Sequence, residues 1–358
     1  MRRTLYWVLL LAISSAAIAE TAPKIKGVSR NFGAVGGGTL LTFDGDNLLP
    51  TVDCLLPCPT TIFFGNVQGS LKAGSRTLLR ALTPPAQAAS TVDVTITVAG
   101  HAPIVLPNAF TYTTDPQANY EAVMLPLYFD GVLPGAHGSE WTTSLWALNN
   151  GTDDVRIAPW TCAAGSVCAA AYPWTYSLGA KKSLRELSPL AANDGNPSRM
   201  LYLSQAGADE VSFSLRFADR SRGLIDAGID LPVIREREAL HGNAHLFSVP
   251  LNGSFRVMLR LYEMREASAR FRVTIYPQSE LDELPIHIEE IATTVADGAF
   301  PEKAGYAQLD VTALLRLEKT WPATVRIEIT PLTEGSRFWS FASVTSNDTQ
   351  IVTLVTPQ

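Results

Sequence analysis

Between Pro23 and Thr113 the chain repeats one pattern: a short run rich in β-branched and aromatic residues, then a turn of glycine, proline or asparagine, about every ten residues. Residues 39–43 and 92–98 place apolar side chains at alternate positions, so one face packs and the other meets water. That spacing leaves no room for helices and predicts a sandwich of short strands. The triple glycine Gly36, Gly37 and Gly38 lies just ahead of a strand, and no helix N-terminus follows to hold an anion. It therefore reads as a turn and not as a phosphate loop. Thr83, Pro84 and Pro85 mark a strand end, since proline cannot donate into a ladder.

The order of these elements carries a resemblance. The segment opens as Pro-x-Ile-x-Gly-Val-Ser at 23–29 and passes through the triple glycine to Gly45-Asp46-Asn47-Leu48. It continues through Ile62-Phe63-Phe64-Gly65 and closes on Ala109-Phe110-Thr111-Tyr112. In that order it resembles an IPT/TIG domain, the immunoglobulin-like module named for plexins and transcription factors. The resemblance implies a binding or spacer sandwich.

Ahead of the module, Met1-Arg2-Arg3, an apolar run from Leu5 to Ile13 and the small-x-small site Ala17-Ile18-Ala19 read as a secretory signal peptide over 1–19. The mature chain is expected to begin near Glu20. No later stretch reaches the roughly 18 uncharged apolar residues that a membrane-spanning helix needs. The four cysteines fall in two close pairs, Cys54 with Cys58 and Cys162 with Cys168. In an oxidising compartment local disulfides are the expected pairing among three possible connectivities. At 46% hydrophobic and 17% charged, the chain has the composition of folded domains. A net charge of −6 gives no basic footprint for nucleic acid.

Beyond a polar break at 114–119 the chain shows a weak internal repeat. The runs at 125–129, 141–149 and 155–157 are echoed at 246–250, 255–262 and 271–276, and 211–217 is echoed by 338–344. Two related all-β modules in tandem follow from this. The expected division is an IPT/TIG immunoglobulin-like domain over 20–114, a β-sandwich over 120–230 and a second over 240–358. This region also resembles the carboxy-terminal parts of exported bacterial proteins that carry an IPT/TIG module. One helix is expected, from Asp310 to Lys319, capped by Asp310 or Thr312. Residues 230–238 alternate charge and read either as an edge strand or as a solvated linker.

Candidate chemistry is sparse. His241 and His245 have the i, i+4 spacing of a zinc pair, but Gly242 and Asn243 between them argue for a solvated turn. His137 lies in a glycine-flanked loop without a nucleophile motif and reads as a turn residue. Glu280, Asp282, Glu283, Glu289 and Glu290 read as a solvated acidic loop, not as carboxylates facing each other across a cleft. Asp44, Asp46 and Asn47 fit a turn. The remaining cluster is aromatic: Trp160, Tyr172, Trp174 and Tyr176 surround the second cysteine pair and form either core or a stacking platform.

The sequence thus reads as an all-β exported protein, secreted or periplasmic, that binds, adheres or supports without catalysis. Its expected partner is a protein or a glycan. No cofactor, metal, nucleic acid or transmembrane segment is expected. The alternative is a carbohydrate-binding protein, or a degenerate polysaccharide-active enzyme, using Trp160, Tyr172 and Trp174.

Overall fold

The computed structural model describes residues 22–49, 60–129, 131–158, 176–185, 196–205, 207–225, 228–264, 268–278, 284–294, 304–316 and 324–358. Their strands form six sheets, paired face to face as three sandwiches. The signal segment, both cysteine pairs, Trp160, Tyr172, Trp174, Glu280, Asp282 and Glu283 lie outside the described residues.

In the first sandwich, Lys24–Val28, Leu40–Asp46, Leu78–Leu82 and Ser70–Gly74 lie side by side in one sheet. Phe32–Ala34, Ile104–Thr113, Ser90–Val98, Thr60–Phe64 and Val67–Gln68 form the other. The alternation read from the sequence places Leu41 and Phe43 inward against Ile62, Val94, Ile96 and Phe110. The triple glycine is a turn, with Gly37 and Gly38 at φ +73° and +79°. A Cβ on Gly37 would lie 2.6 Å from the backbone of Pro84, so only glycine fits. One expectation shifts: Asp44 and Asp46 belong to the strand Leu40–Asp46, and the turn begins at Asn47, at φ 54°.

The second and third sandwiches share one topology, which is the tandem repeat read from the sequence. The front sheet of the second runs Tyr176–Leu178, Val155–Ala158, Arg199–Ser204, Tyr120–Leu125, with the short strand Ile234–Arg235 added at its edge. Strand for strand, the front sheet of the third runs His287–Ala292, Arg270–Pro277, Thr324–Pro331, Ala244–Pro250. The back sheets match as well. Ser183–Arg185, Glu140–Asn149, Val211–Asp219 and Ile229–Leu231 correspond to Gly305–Asp310, Phe255–Glu263, Phe338–Ser346 and Val352–Val355. Leu133–Pro134 adds a further short strand beside Glu140–Asn149.

The two units stack head to tail, the front sheet of the second lying on the back sheet of the third. Met124, Met200, Tyr202 and Ala158 point away from their own core and pack on Tyr262, Met264 and Phe341. Arg199–Ser204 is consequently buried on both faces, with Leu201 and Leu203 turned to one core and Met200 and Tyr202 to the other. Apolar residues at consecutive positions are what such a strand requires.

Residues 234–240 between the units are packed, and with Ile229–Leu231 and Ile234–Arg235 as edge strands the stretch follows the edge-strand reading and not the solvated-linker one. The Arg235 side chain donates to Glu121 Oε2 at 2.6 Å and to the carbonyls of Ala208 at 2.8 Å and Val211 at 3.2 Å. Arg237 reaches Glu121 at 3.4 Å and also pairs with Asp209. Burial pushes the Glu121 carboxyl up, and Arg235 and Arg237 pull it back toward the charged form. Glu236 joins all three sandwiches. Its Oε1 lies 3.1 Å from Arg337 of the third and 3.8 Å from Arg30 of the first, and its Oε2 accepts from Ala122 N–H at 3.4 Å. Arg30 also donates to the Tyr120 carbonyl at 2.5 Å and lies over Phe32.

The helix is Val311–Arg316, with Asp310 Oδ1 accepting the Ala313 N–H at 2.8 Å as its cap, while Thr312 Oγ1 accepts the Val257 N–H at 2.7 Å. Two further expectations are corrected. Glu289 and Glu290 lie in the strand His287–Ala292, not in a loop, and Glu290 pairs with Arg270 and Arg272 across the front sheet. His245 lies in the strand Ala244–Pro250, and His241 packs on Gly27 with Asp44 at 3.9 Å, so neither is in a solvated turn. Among the described residues no group of His, Cys, Asp and Glu is arranged to hold a metal ion.

Candidate functional site

Where the front sheet of the second sandwich stops short of covering its partner, a cleft of about 250 Å³ opens between the two units. One wall is the open end of the second core, with Leu127, Phe129, Phe217 and Ile229. The other is the back sheet of the third, with Phe341, Ser343, Leu354 and the side chains of Arg256 and Arg260. A second hollow of about 220 Å³ adjoins it and shares Trp141, Phe217, Ile229 and Val352.

The strand Phe255–Glu263 explains the chemistry of the third-sandwich wall. Its inward residues Val257, Leu259 and Leu261 fill the core, while Arg256, Met258, Arg260 and Tyr262 alternate onto the outer face. Tyr262 falls under the second sandwich, parallel to Phe341 with ring centroids 6.0 Å apart. Burial pushes the Tyr262 hydroxyl well above its ordinary value, and it has no hydrogen-bond partner among the described residues.

The two arginines project past the covered region. Arg260 donates to Ser343 Oγ at 2.5 Å, and its guanidinium carbon lies 5.7 Å from the centre of the Phe341 ring. Arg256 donates to Asn347 Oδ1 at 3.0 Å and to Gln350 Oε1 at 2.7 Å. Every one of these acceptors is neutral. No acidic residue lines the cleft among the described residues.

Trp141 stacks on Phe217 with centroids 4.6 Å apart and planes 7° from parallel. Its position is set from two sides. Asp219, opposite Trp141 across the strand pair, accepts from the Glu140 N–H at 2.8 Å, from the Ser221 N–H and hydroxyl at 3.1 and 2.7 Å, and from Arg222 at 3.1 Å. Burial alone would raise the Asp219 carboxyl, but these donors together hold it below the usual carboxylate range. On the other side Gly135 lies against the indole, where a Cβ would come within 2.3 Å of Trp141 Nε1. The glycine-flanked loop picked out around His137 is therefore a wall of the cleft, with Pro134, Gly135, Ala136 and Ser139 lining it. His137 itself is exposed at φ 56° and does not line it.

Of the residues expected to bind, Trp160, Tyr172 and Trp174 lie outside the described residues, and Tyr176 packs against the second core. Trp141, Phe217, Arg256, Arg260 and Ser343 were not singled out by motif. Their signal is Arg256 and Arg260, four residues apart on one face of a strand that is otherwise apolar from Phe255 to Leu261.

Residues 23–112 match the family model for the IPT/TIG domain, and the first sandwich is an IPT/TIG domain. No curated protein sequence matches the chain. Among solved structures the chain is similar to the full extracellular region of plexin A4, domains 1 to 10, at 12% identity and a TM-score of 0.24. That match covers 90% of this chain and 21% of that one. It is also similar to an auxiliary nutrient binding protein from Bacteroides ovatus, at 12% identity and a TM-score of 0.22, covering 94% of this chain and 71% of that one. A third likeness is to SGBP-B of the Bacteroides ovatus mixed-linkage glucan utilization locus in complex with a mixed-linkage heptasaccharide. It lies at 11% identity and a TM-score of 0.21, covering 91% of this chain and 72% of that one. No helix among the described residues is long and apolar enough to cross a membrane.

Proposed function

We propose that this is an exported, non-catalytic binding protein whose ligand occupies the cleft between the second and third sandwiches. The observation that supports this reading is the cleft itself: a concave site between two packed domains, mostly apolar, with a few converging polar groups. Its described lining carries no carboxylate or imidazole, which favours holding a ligand over acid–base chemistry. The IPT/TIG sandwich, tied to both later units through Arg30 and Glu236, serves as a fixed spacer. The division into domains at 20–114, 120–230 and 240–358, the leader over 1–19 and the disulfides Cys54–Cys58 and Cys162–Cys168 belong to this proposal. Mass spectrometry of the secreted or periplasmic protein should find a start near Glu20 and four oxidised cysteines.

The functional test is a thermal-shift screen of the full chain against saccharides and organic acids, with product analysis of each mixture. A saturable shift that disappears in Ala136→Trp, where the bulky ring enters the cleft from an exposed lining position, supports the reading. Turnover of any compound contradicts it.

A second reading, carbohydrate binding, has its own observation. Trp146 is 43% exposed on the outer face of the second back sheet, opposite Ser214 and with Arg185 5.2 Å from its ring. An exposed indole among hydroxyls suits a sugar ring. Trp160, Tyr172 and Trp174 remain candidates for the same role. A glycan array read with the unmodified chain and Trp146→Ala tests it: saccharide binding lost in the variant supports it, and no saccharide bound sinks it.

A further inference from the structure

We infer that the ligand of the cleft is an amphipathic organic anion, a carboxylate on a hydrocarbon or aromatic body; this rests on the reading of the cleft as a binding site. Arg256 and Arg260 stand on one face of one strand, and their hydrogen-bond partners Asn347, Gln350, Ser343 and Tyr306 include no carboxylate among the described residues. By contrast, Arg216, Arg222, Arg235, Arg237, Arg270, Arg272 and Arg337 each lie against a carboxylate, and although Arg76 and Arg199 also have neutral acceptors, neither lines the cleft. A chain of net charge −6 that leaves two arginines without carboxylates in its concave site presents a place for an anion.

The walls then choose the body of the ligand. Away from the arginines the surface is Leu127, Phe129, Trp141, Phe217, Ile229 and Leu354, which offers dispersion contact and no array of hydrogen-bond partners. A neutral sugar would bury hydroxyls there without partners, at a cost. An acyl chain or an aromatic ring would not. The carboxylate would accept from the guanidiniums of Arg256 and Arg260, while the body lies on Trp141 and Phe217. A volume of about 250 Å³ suits a small molecule of this kind more than a polymer.

The experiment is calorimetric titration of the full chain with octanoate and, separately, with 1-octanol at matched concentrations. Octanoate is expected to bind at least about tenfold more tightly than the alcohol, and to weaken as salt is raised. Arg260→Gln keeps a polar side chain beside Ser343 and should lose that preference, as should Arg256→Gln if Arg260→Gln fails to fold. Ala136→Trp should abolish both titrations. Equal binding of acid and alcohol, unchanged in both glutamine variants, overturns the anion while leaving the cleft as the site. Binding that persists in Ala136→Trp, or no binding of either probe, overturns the anion and removes support for the cleft as well.

Discussion

The front sheets of the second and third sandwiches have the same strand order, yet their outer faces are opposite in character. In the second the outer face is Met124, Met200 and Tyr202, covered by its neighbour. In the third it carries Arg270 and Arg272 paired with Glu290, and Arg326 with Glu328 at 3.5 Å. Topology is therefore not what makes the two units dock. A head-to-tail contact could in principle repeat indefinitely, since each added unit would offer a fresh front sheet. The charged outer face of the third sandwich offers no comparable apolar surface among the described residues. The cleft follows from the same arrangement, because only one such junction exists among the described residues.

Substitutions on the two faces should separate them. Met200→Asp buries an unpaired carboxyl between the second and third sandwiches and should destabilise by upwards of about 4 kcal/mol. Thr330→Asp on the solvated face of the third front sheet should stay within about 0.5 kcal/mol, by denaturant titration of both variants. Comparable losses would end the distinction. Next in size is Glu121→Ala, which strands Arg235 and Arg237 beneath the junction and should cost about 3–5 kcal/mol. A loss under about 1 kcal/mol would mean the linker arginines find water instead.

Asp219→Ala removes the acceptor for four donors beside Trp141 and should cost about 2–3 kcal/mol at neutral pH. The native carboxyl is depressed, so its contribution is complete above the unfolded value. It fades as pH falls through about 4 and on through the lower native value. The melting-temperature gap between the variant and the unmodified chain should close over that window, and a gap constant down to pH 2 would contradict it. Smaller still is Tyr262→Phe, which removes a buried hydroxyl that has no partner among the described residues and should leave stability unchanged or up to about 1 kcal/mol higher. Glu290→Gln, on the exposed face, should leave the melting temperature where it was.

The parts of this molecule that obey a local rule were legible in the sequence. Alternation placed Leu41, Phe43, Val94 and Ile96 inward, the glycine triplet made its turn, and the echo between residues 125–217 and 246–344 became a shared strand order. What depended on a second sheet was not. The run Met200 to Leu203 is apolar at every position because both of its faces are covered, and that signal was present but points equally to any doubly buried segment. Arg235 and Glu236 read equally as an edge strand or a solvated linker until Glu121, Arg30 and Arg337 are brought to them from far along the chain. The cleft escaped motif reading for the same reason, since Trp141 and Arg260 belong to different sandwiches and share no local spacing.

Hydrogen exchange under increasing denaturant, resolved by peptide across the full chain, tests the docked pair most directly. Strands Arg199–Ser204 and Phe338–Ser346 should lose protection together, as one cooperative unit, and should separate in Met124→Asp. Independent loss of protection by the two strands in the unmodified chain would contradict the docking, and with it the cleft that the docking forms.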